Sequence, residues 1–275
     1  MTRRFIAALL LVGMTILTEP NPVRADDTCK SPDNSTRVVG KEACLVIKTF
    51  GATGAGANPT LVVMLHGDVS SGGPADYHNG IVEGLVRPGV VGIAMIRPGY
   101  PDSTGAESQG EARGRNDNVT PENVEIVADG IAKLRAHHQA REVALIGHSS
   151  GANMAGILMG RHIGLAERAL LVSCPCDVGR WRSDGGRRSW LYSLSSHDFV
   201  DKVPITAKIV AATGTSDSNT REFLAQDYVA TLAKRGVAAK YVGLPGASHN
   251  INKTMRELPE FRAVLEEVVT GTPPR

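Results

Sequence analysis

A serine flanked by glycines at −2 and +2 stands in Gly147-His148-Ser149-Ser150-Gly151. The apolar run Glu142–Ile146 precedes it, and the small residues Ala152-Asn153-Met154-Ala155-Gly156 follow. Read as strand, tight turn and helix, this segment would lift the Ser149 hydroxyl onto a strained strand tip, and the glycines would let strand and helix backbones approach. The N–H groups at the helix start would then lie beside a reacting carbonyl, where they stabilise an oxyanion. An inert Gly–Ser turn could share the pentapeptide, so the flanking runs carry the reading together with the five residues. Ser150 is out of frame as a nucleophile and is expected to contribute its backbone N–H to the oxyanion hole.

A serine hydroxyl is a weak nucleophile and needs an oriented base. Of eight histidines, His249 in Pro245-Gly246-Ala247-Ser248-His249-Asn250 directly follows the last strand-like run and is the expected base. His137 and His138 end one helix-like stretch, His162 ends the next, and His197 lies in an insertion. His148 sits inside the turn, with its side chain expected to point away from the hydroxyl. The base needs an acid to hold its tautomer and stabilise the imidazolium. Asp217, in Gly214-Thr215-Ser216-Asp217 just after another strand-like run, is the expected acid. Asp177 is the runner-up, with Asp198 and Asp201 as further rivals; any one of them could instead form a turn or cap a helix. A second oxyanion donor is expected from Met64-Leu65-His66-Gly67-Asp68, where Gly67 permits a sharp turn: the Asp68 N–H, with Val69 as the alternative. His66 reads as a buried hydrogen-bonding residue rather than a second base.

These residues must be gathered at one edge of a sheet. Short apolar, β-branched runs occur at Leu45–Phe50, Thr60–Leu65, Val90–Ile96, Glu142–Ile146, Arg168–Val172, Lys208–Thr213 and Lys240–Leu244. Nearly continuous hydrophobicity, as in Leu61-Val62-Val63-Met64-Leu65, is what a strand buried on both faces requires. Helix-like stretches lie between the later runs. One starts at Thr120-Pro121-Glu122, a capping threonine followed by proline at the first helical position. Others run from Thr220 to Arg235 and from Met255 to Val269. Strands alternating with helices argue for an α/β fold with a mostly parallel sheet. The polar stretch 98–118 and the insertion 176–203 both follow strands, so both should emerge at the carboxyl edge, where open α/β folds bind ligands.

The order Ser149, Asp217, His249, with the His66-Gly67 turn upstream, resembles the α/β-hydrolase superfamily. Within it the chain looks most like dienelactone-hydrolase and prolyl-oligopeptidase-like serine esterases. The resemblance runs from about Leu45 to the C-terminus. It implies a mostly parallel central sheet of up to eight strands, helices on both faces, a short lid insertion at 176–203, and no cofactor. It also implies acyl transfer to water through a serine-bound acyl intermediate. The lid is short for a true lipase, and Cys174-Pro175-Cys176 is not a general feature of the superfamily. Tyr100, in Arg97-Pro98-Gly99-Tyr100, and Trp181 and Trp190, with Tyr192 close by, are candidate substrate contacts; the first segment also reads as a strand-ending turn, and the tryptophans read more readily as sealing the lid against the sheet. Arg180, Arg182, Arg187 and Arg188 make the lid basic, which suits an acidic substrate or simply a solvated surface.

The remaining features bound the function class. The chain has 275 residues with 42% hydrophobic and 21% charged side chains, which excludes disorder and collagen-like or coiled-coil composition. Arg3 and Arg4, the apolar run Phe5–Leu17 and Val23-Arg24-Ala25 read as a signal peptide over residues 1–25, leaving a single hydrolase domain at 26–275. Its loss would take Arg3, Arg4, Arg24 and Glu19 from 30 basic and 28 acidic residues, leaving 27 of each sign. A neutral domain with few aromatics is a poor nucleic-acid binder. This thirteen-residue run is too short to span a bilayer. Four cysteines, Cys29, Cys44, Cys174 and Cys176, fit one or two disulfides in an oxidising compartment; no third or fourth ligand at suitable spacing supports a metal site. The pairing is open. The expectation is an exported (periplasmic or extracellular) serine hydrolase of the carboxylesterase type acting on small or medium esters. The alternatives are a peptidase or amidase with the same three residues, and a non-catalytic binding protein on the hydrolase fold.

Overall fold

A computed structural model describes residue 29 and residues 31–272. The expected signal peptide lies outside the described residues. Eight strands form one sheet: β1 (Arg37–Gly40), β2 (Ala43–Phe50), β3 (Thr60–Leu65), β4 (Val90–Met95), β5 (Glu142–His148), β6 (Arg168–Val172), β7 (Lys208–Gly214) and β8 (Ala238–Leu244). Their spatial order is β1-β2-β4-β3-β5-β6-β7-β8. The pairs β1–β2 and β2–β4 are antiparallel; every other pair is parallel.

The described residues form six α-helices: α1 (Asn79–Glu83), α2 (Pro121–His137), α3 (Ser150–Arg161), α4 (Val178–Asp184), α5 (Glu222–Lys234) and α6 (Pro259–Thr270). The alternating pleat of β3 divides its side chains between two cores. Leu61, Val63 and Leu65 join residues of α2, α3 and α5, whereas Val62 and Met64 join Ile81 and Val82 of α1 and Phe261, Val264 and Leu265 of α6. Apolar residues are therefore needed at both parities, which is why β3 reads as an unbroken hydrophobic run.

The expected start of the second helix is observed: the Thr120 hydroxyl accepts from the Asn123 N–H, with Pro121 at the first position. Three elements depart from expectation. The edge strand β1 was not foreseen, because Val38 and Val39 are its only large apolar residues. Helix α5 begins at Glu222 rather than Thr220, whose hydroxyl is bonded to Asp217. Helix α6 begins at Pro259, because Ile251–Met255 forms a separate wide turn ahead of it. The insertion 176–203 contains α4 and a short 3-10 stretch, Ser196–Lys202. Disulfides join Cys29 to Cys44 and Cys174 to Cys176. No helix among the described residues is long and apolar enough to cross a membrane.

The chain passes from β4 through α2 back across β3 to β5, so the sheet reverses direction beside β3. The carboxyl ends of β3 and β5 are neighbours there, with Leu65 opposite Gly147. The crevice outside such a reversal is where an open α/β sheet offers a binding site.

Candidate active site

Ser149 lies between β5 and α3 with φ 55° and ψ −123°, a backbone conformation that a non-glycine residue adopts only under local constraint. The constraint is visible in its neighbours. A Cβ on Gly147 would fall 2.3 Å from the Gly151 carbonyl oxygen, and one on Gly151 would fall 2.3 Å from that of Leu65. Only glycine fits either position, and the Ser149 N–H is held by the Val172 carbonyl at 2.9 Å.

His249 comes from the loop after β8 and Asp217 from the loop after β7. His249 Nε2 stands 3.1 Å from Ser149 Oγ, and His249 Nδ1 stands 2.8 Å from Asp217 Oδ2. Asp217 is buried. Its Oδ1 accepts the N–H groups of Asn219 and Thr220 at 2.9 and 3.0 Å, and its Oδ2 accepts the Thr220 hydroxyl at 2.9 Å. Burial alone would raise the pKa of this carboxyl. The hydrogen bond and charge of His249 and the backbone N–H of Thr220 outweigh that and bring it down to about 2. Asp217 is therefore ionised at neutral pH and accepts a hydrogen bond from His249 Nδ1–H, which leaves the Nε2 lone pair facing the serine. Asp177, the runner-up acid, is occupied elsewhere: its side chain caps α4 by accepting the Arg180 N–H at 2.9 Å.

The Gly67 N–H is already taken by the Tyr77 hydroxyl at 2.6 Å. The N–H groups of Asp68 and Ser150, the candidate oxyanion donors, have no intramolecular acceptor among the described residues. The Asp68 carboxylate would oppose a nearby oxyanion, but three donors hold it: Arg97 Nη2 at 2.5 Å, the Tyr100 hydroxyl at 2.7 Å and the Ser150 hydroxyl at 2.5 Å. Arg97 is almost wholly buried and forms an ion pair with it. The local charge is thus compensated.

Tyr100 requires a correction. It is fully buried, with its hydroxyl 2.7 Å from Asp68 and 2.9 Å from the Arg115 carbonyl, so it supports Asp68 and does not face a ligand. Trp181 is corrected in the same way: it is buried, and its indole N–H donates to the Asn219 carbonyl at 2.7 Å. That bond seals the insertion against the loop carrying Asp217. Trp190 is half-buried and packs edge-on against Trp181, with ring centroids 5.0 Å apart. Two arginines of the insertion are also committed, Arg187 over the Trp181 ring at 4.4 Å and Arg180 to Asp227 at 2.6 Å. His66 is buried; its Nε2 accepts the Arg97 N–H at 2.9 Å while Nδ1 donates to the Gly67 carbonyl at 2.7 Å.

Sequence reasoning missed Thr220 and Tyr77, and read Arg97 only within the segment that opens the 98–118 loop, not as the partner of Asp68. The Asp-x-x-Thr spacing of Asp217 and Thr220 was the available signal for the first. Nothing local pointed to Tyr77, which meets His148 from a distant loop.

No known family model matches the sequence, and no curated protein matches it. Solved structures do. The esterase Est1E from Butyrivibrio proteoclasticus, with ferulic acid bound, aligns with a TM-score of 0.64 at 14% identity over 86% of this chain and 97% of its own. The Pyrococcus furiosus esterase Pf2001 aligns at 0.63 and 13% identity over 86% and 92%. Pyrococcus horikoshii acylaminoacyl peptidase aligns at 0.62 and 13% identity over 84% of this chain but only 40% of its own. At such low identity the likeness establishes the architecture: this chain has the α/β-hydrolase fold.

Proposed function

We propose that the protein is a serine hydrolase that cleaves small or medium carboxylic esters with Ser149 as nucleophile, His249 as base and Asp217 as orienting acid. The observation that supports this most is the hydrogen-bonded chain Asp217–His249–Ser149, with separations of 2.8 and 3.1 Å, at the carboxyl ends of β5, β7 and β8. In the first half-reaction Ser149 Oγ attacks the ester carbonyl carbon as His249 Nε2 takes its proton. The carbonyl oxygen becomes an oxyanion, for which the Asp68 and Ser150 N–H groups are the proposed donors. Collapse breaks the bond to the alkoxy oxygen, which leaves as the alcohol with the proton from His249. Water then attacks the acyl-serine by the same proton route and releases the acid. Only side chains and backbone of this chain are used.

Ester rather than amide cleavage is supported by the naming of two of the similar structures as esterases, one with ferulic acid bound. A hydroxycinnamoyl ester therefore belongs in the substrate series. Export is supported by the leader-like residues 1–25 and by the two disulfides. In this reading the insertion 176–203 is a lid, with the half-buried Trp190 and the exposed Tyr192 as its aromatic candidates for touching substrate. The test compares p-nitrophenyl esters of increasing acyl length, a hydroxycinnamoyl ester and matched p-nitroanilides on wild type and Ser149→Ala. Ester turnover lost in the variant, with anilides far slower, is the expected result. Anilide rates equal to ester rates would favour a peptidase. Turnover surviving the substitution would remove Ser149 from the mechanism.

A further inference from the structure

Gly67, Tyr77, His148 and His249 form a second hydrogen-bonded chain beside the first. The Gly67 N–H lies 2.6 Å from the Tyr77 hydroxyl oxygen, that hydroxyl lies 2.7 Å from His148 Nδ1, and His148 Nε2 lies 3.0 Å from the His249 carbonyl oxygen. Both ends of this chain have fixed polarity. A backbone N–H can only donate and a backbone carbonyl can only accept. The Gly67 N–H therefore donates to the Tyr77 oxygen, and His148 Nε2 must carry a hydrogen to meet the His249 carbonyl. His148 is buried, and burial followed by the neighbouring His249 lowers its pKa to about 3, so the ring is neutral and Nδ1 is bare. The remaining proton, on the Tyr77 hydroxyl, has Nδ1 as its acceptor. In the reverse arrangement Nδ1 would hold the proton, and the Nε2 lone pair would face the His249 oxygen at 3.0 Å, which is repulsive.

The position of this chain matters. Gly67 immediately precedes Asp68, the proposed oxyanion donor, and His148 immediately precedes Ser149. The segment holding His249 is further tied to the same place, because Asn252 Nδ2 donates to the Tyr77 carbonyl at 2.9 Å. A Cβ on Gly67 would lie 2.9 Å from Ser149 Cβ, 3.1 Å from the Tyr77 hydroxyl and 3.2 Å from His148 Nδ1, so all four groups meet within one small volume.

We propose that Tyr77 is a positioning residue whose hydroxyl, accepting from the Gly67 N–H and donating to His148 Nδ1, couples the Gly67 turn to the backbone of His249. The role rests on the serine-hydrolase reading above; the proton arrangement does not. Removing the hydroxyl leaves the Gly67 N–H without an acceptor and the buried Nδ1 of His148 without a donor, so the ring keeps only its bond to the His249 carbonyl. The base loop and the oxyanion turn then lose their shared register while substrate contacts stay as they were.

The test has two arms. In the first, Tyr77→Phe, His148→Gln, His148→Leu and the Tyr77→Phe/His148→Leu pair are assayed for kcat per active serine, the sites being counted by fluorophosphonate titration. Tyr77→Phe is expected to lose about 10–100-fold in kcat with KM within about threefold, the scale of a misplaced catalytic group. The pair is expected to lose no more than about threefold beyond His148→Leu alone, and His148→Gln, which keeps one acceptor and one donor, to retain more activity than His148→Leu. A kcat per titrated serine unchanged in Tyr77→Phe, or losses that multiply in the pair, would overturn the proposal. In the second arm, imidazole ¹⁵N NMR of wild type reads the tautomer, with a hydrogen expected on Nε2 of His148. A hydrogen on Nδ1 would overturn the proposal even if every variant failed to fold. Should wild type neither hydrolyse esters nor be labelled, the hydrolase reading falls and the positioning role falls with it. The NMR arm would still decide the proton arrangement.

Discussion

Replacing Asp217 by asparagine keeps the shape of the side chain and inverts one proton. Oδ1 accepts two backbone N–H groups, from Asn219 and Thr220. An asparagine must place its amide oxygen there, because an NH₂ group would leave both donors unpaired. The NH₂ group is then forced into the Oδ2 position, 2.8 Å from His249 Nδ1. It can only donate, so His249 must become an acceptor at Nδ1 and carry its hydrogen on Nε2. That hydrogen points at Ser149 Oγ, where the base needs a lone pair. The variant should fold normally and lose about 10³–10⁴-fold in kcat, or about 4–5.5 kcal/mol of transition-state stabilisation. The assay is steady-state hydrolysis of a short p-nitrophenyl ester, with Ser149→Ala as the floor and circular dichroism as the check on folding. Asp177→Asn should stay within a few-fold of wild type, because that carboxylate only caps α4. Near-normal activity in Asp217→Asn combined with a large loss in Asp177→Asn would refute the assignment.

Two further outcomes concern stability. Asp217 has a pKa of about 2 in the folded chain against an ordinary value of 3.8, so its contribution is fully present above about pH 4 and is lost as pH falls towards 2. The lowered pKa is worth about 2 kcal/mol, and urea unfolding at pH 6 and pH 2 should show that much less acid sensitivity in Asp217→Asn than in wild type. Equal sensitivity would mean that the carboxylate is not held as described. The Cys29–Cys44 bridge closes a separation of 15 residues; Cys29→Ser/Cys44→Ser should lose about 3 kcal/mol on the chain-entropy account, measured by urea unfolding without reductant. Four free thiols in the unreduced wild type would contradict both bridges.

The legibility of the sequence followed the physics of each element. β3 and β6 carry side chains that are buried on both faces, so their bounds could be read to the residue from continuous apolar runs. β1, an antiparallel edge with two apolar residues, has no such pattern. The start of α5 was misread because Thr220 looks like part of the helix while its hydroxyl serves Asp217. Ser149, Asp217 and His249 could be singled out because each stands just beyond a recognisable strand, and parallel strands bring such positions to one edge. The contacts around them could not. Tyr77 meets His148 across 71 residues of sequence, and whether Tyr100 faced ligand or core depended on how the 98–118 loop packs over Asp68. Trp181 had both readings available, and its indole N–H found a backbone partner inside.

The most direct test of the account is covalent labelling of the folded, wild-type protein with a fluorophosphonate, read by mass spectrometry and peptide mapping. The account predicts one adduct per chain on Ser149, none in Ser149→Ala, and labelling slowed at least about 10³-fold in His249→Ala, since the base acts with the nucleophile as a unit. A folded wild type that takes no label, or takes it at another residue whatever stands at 149, would contradict it.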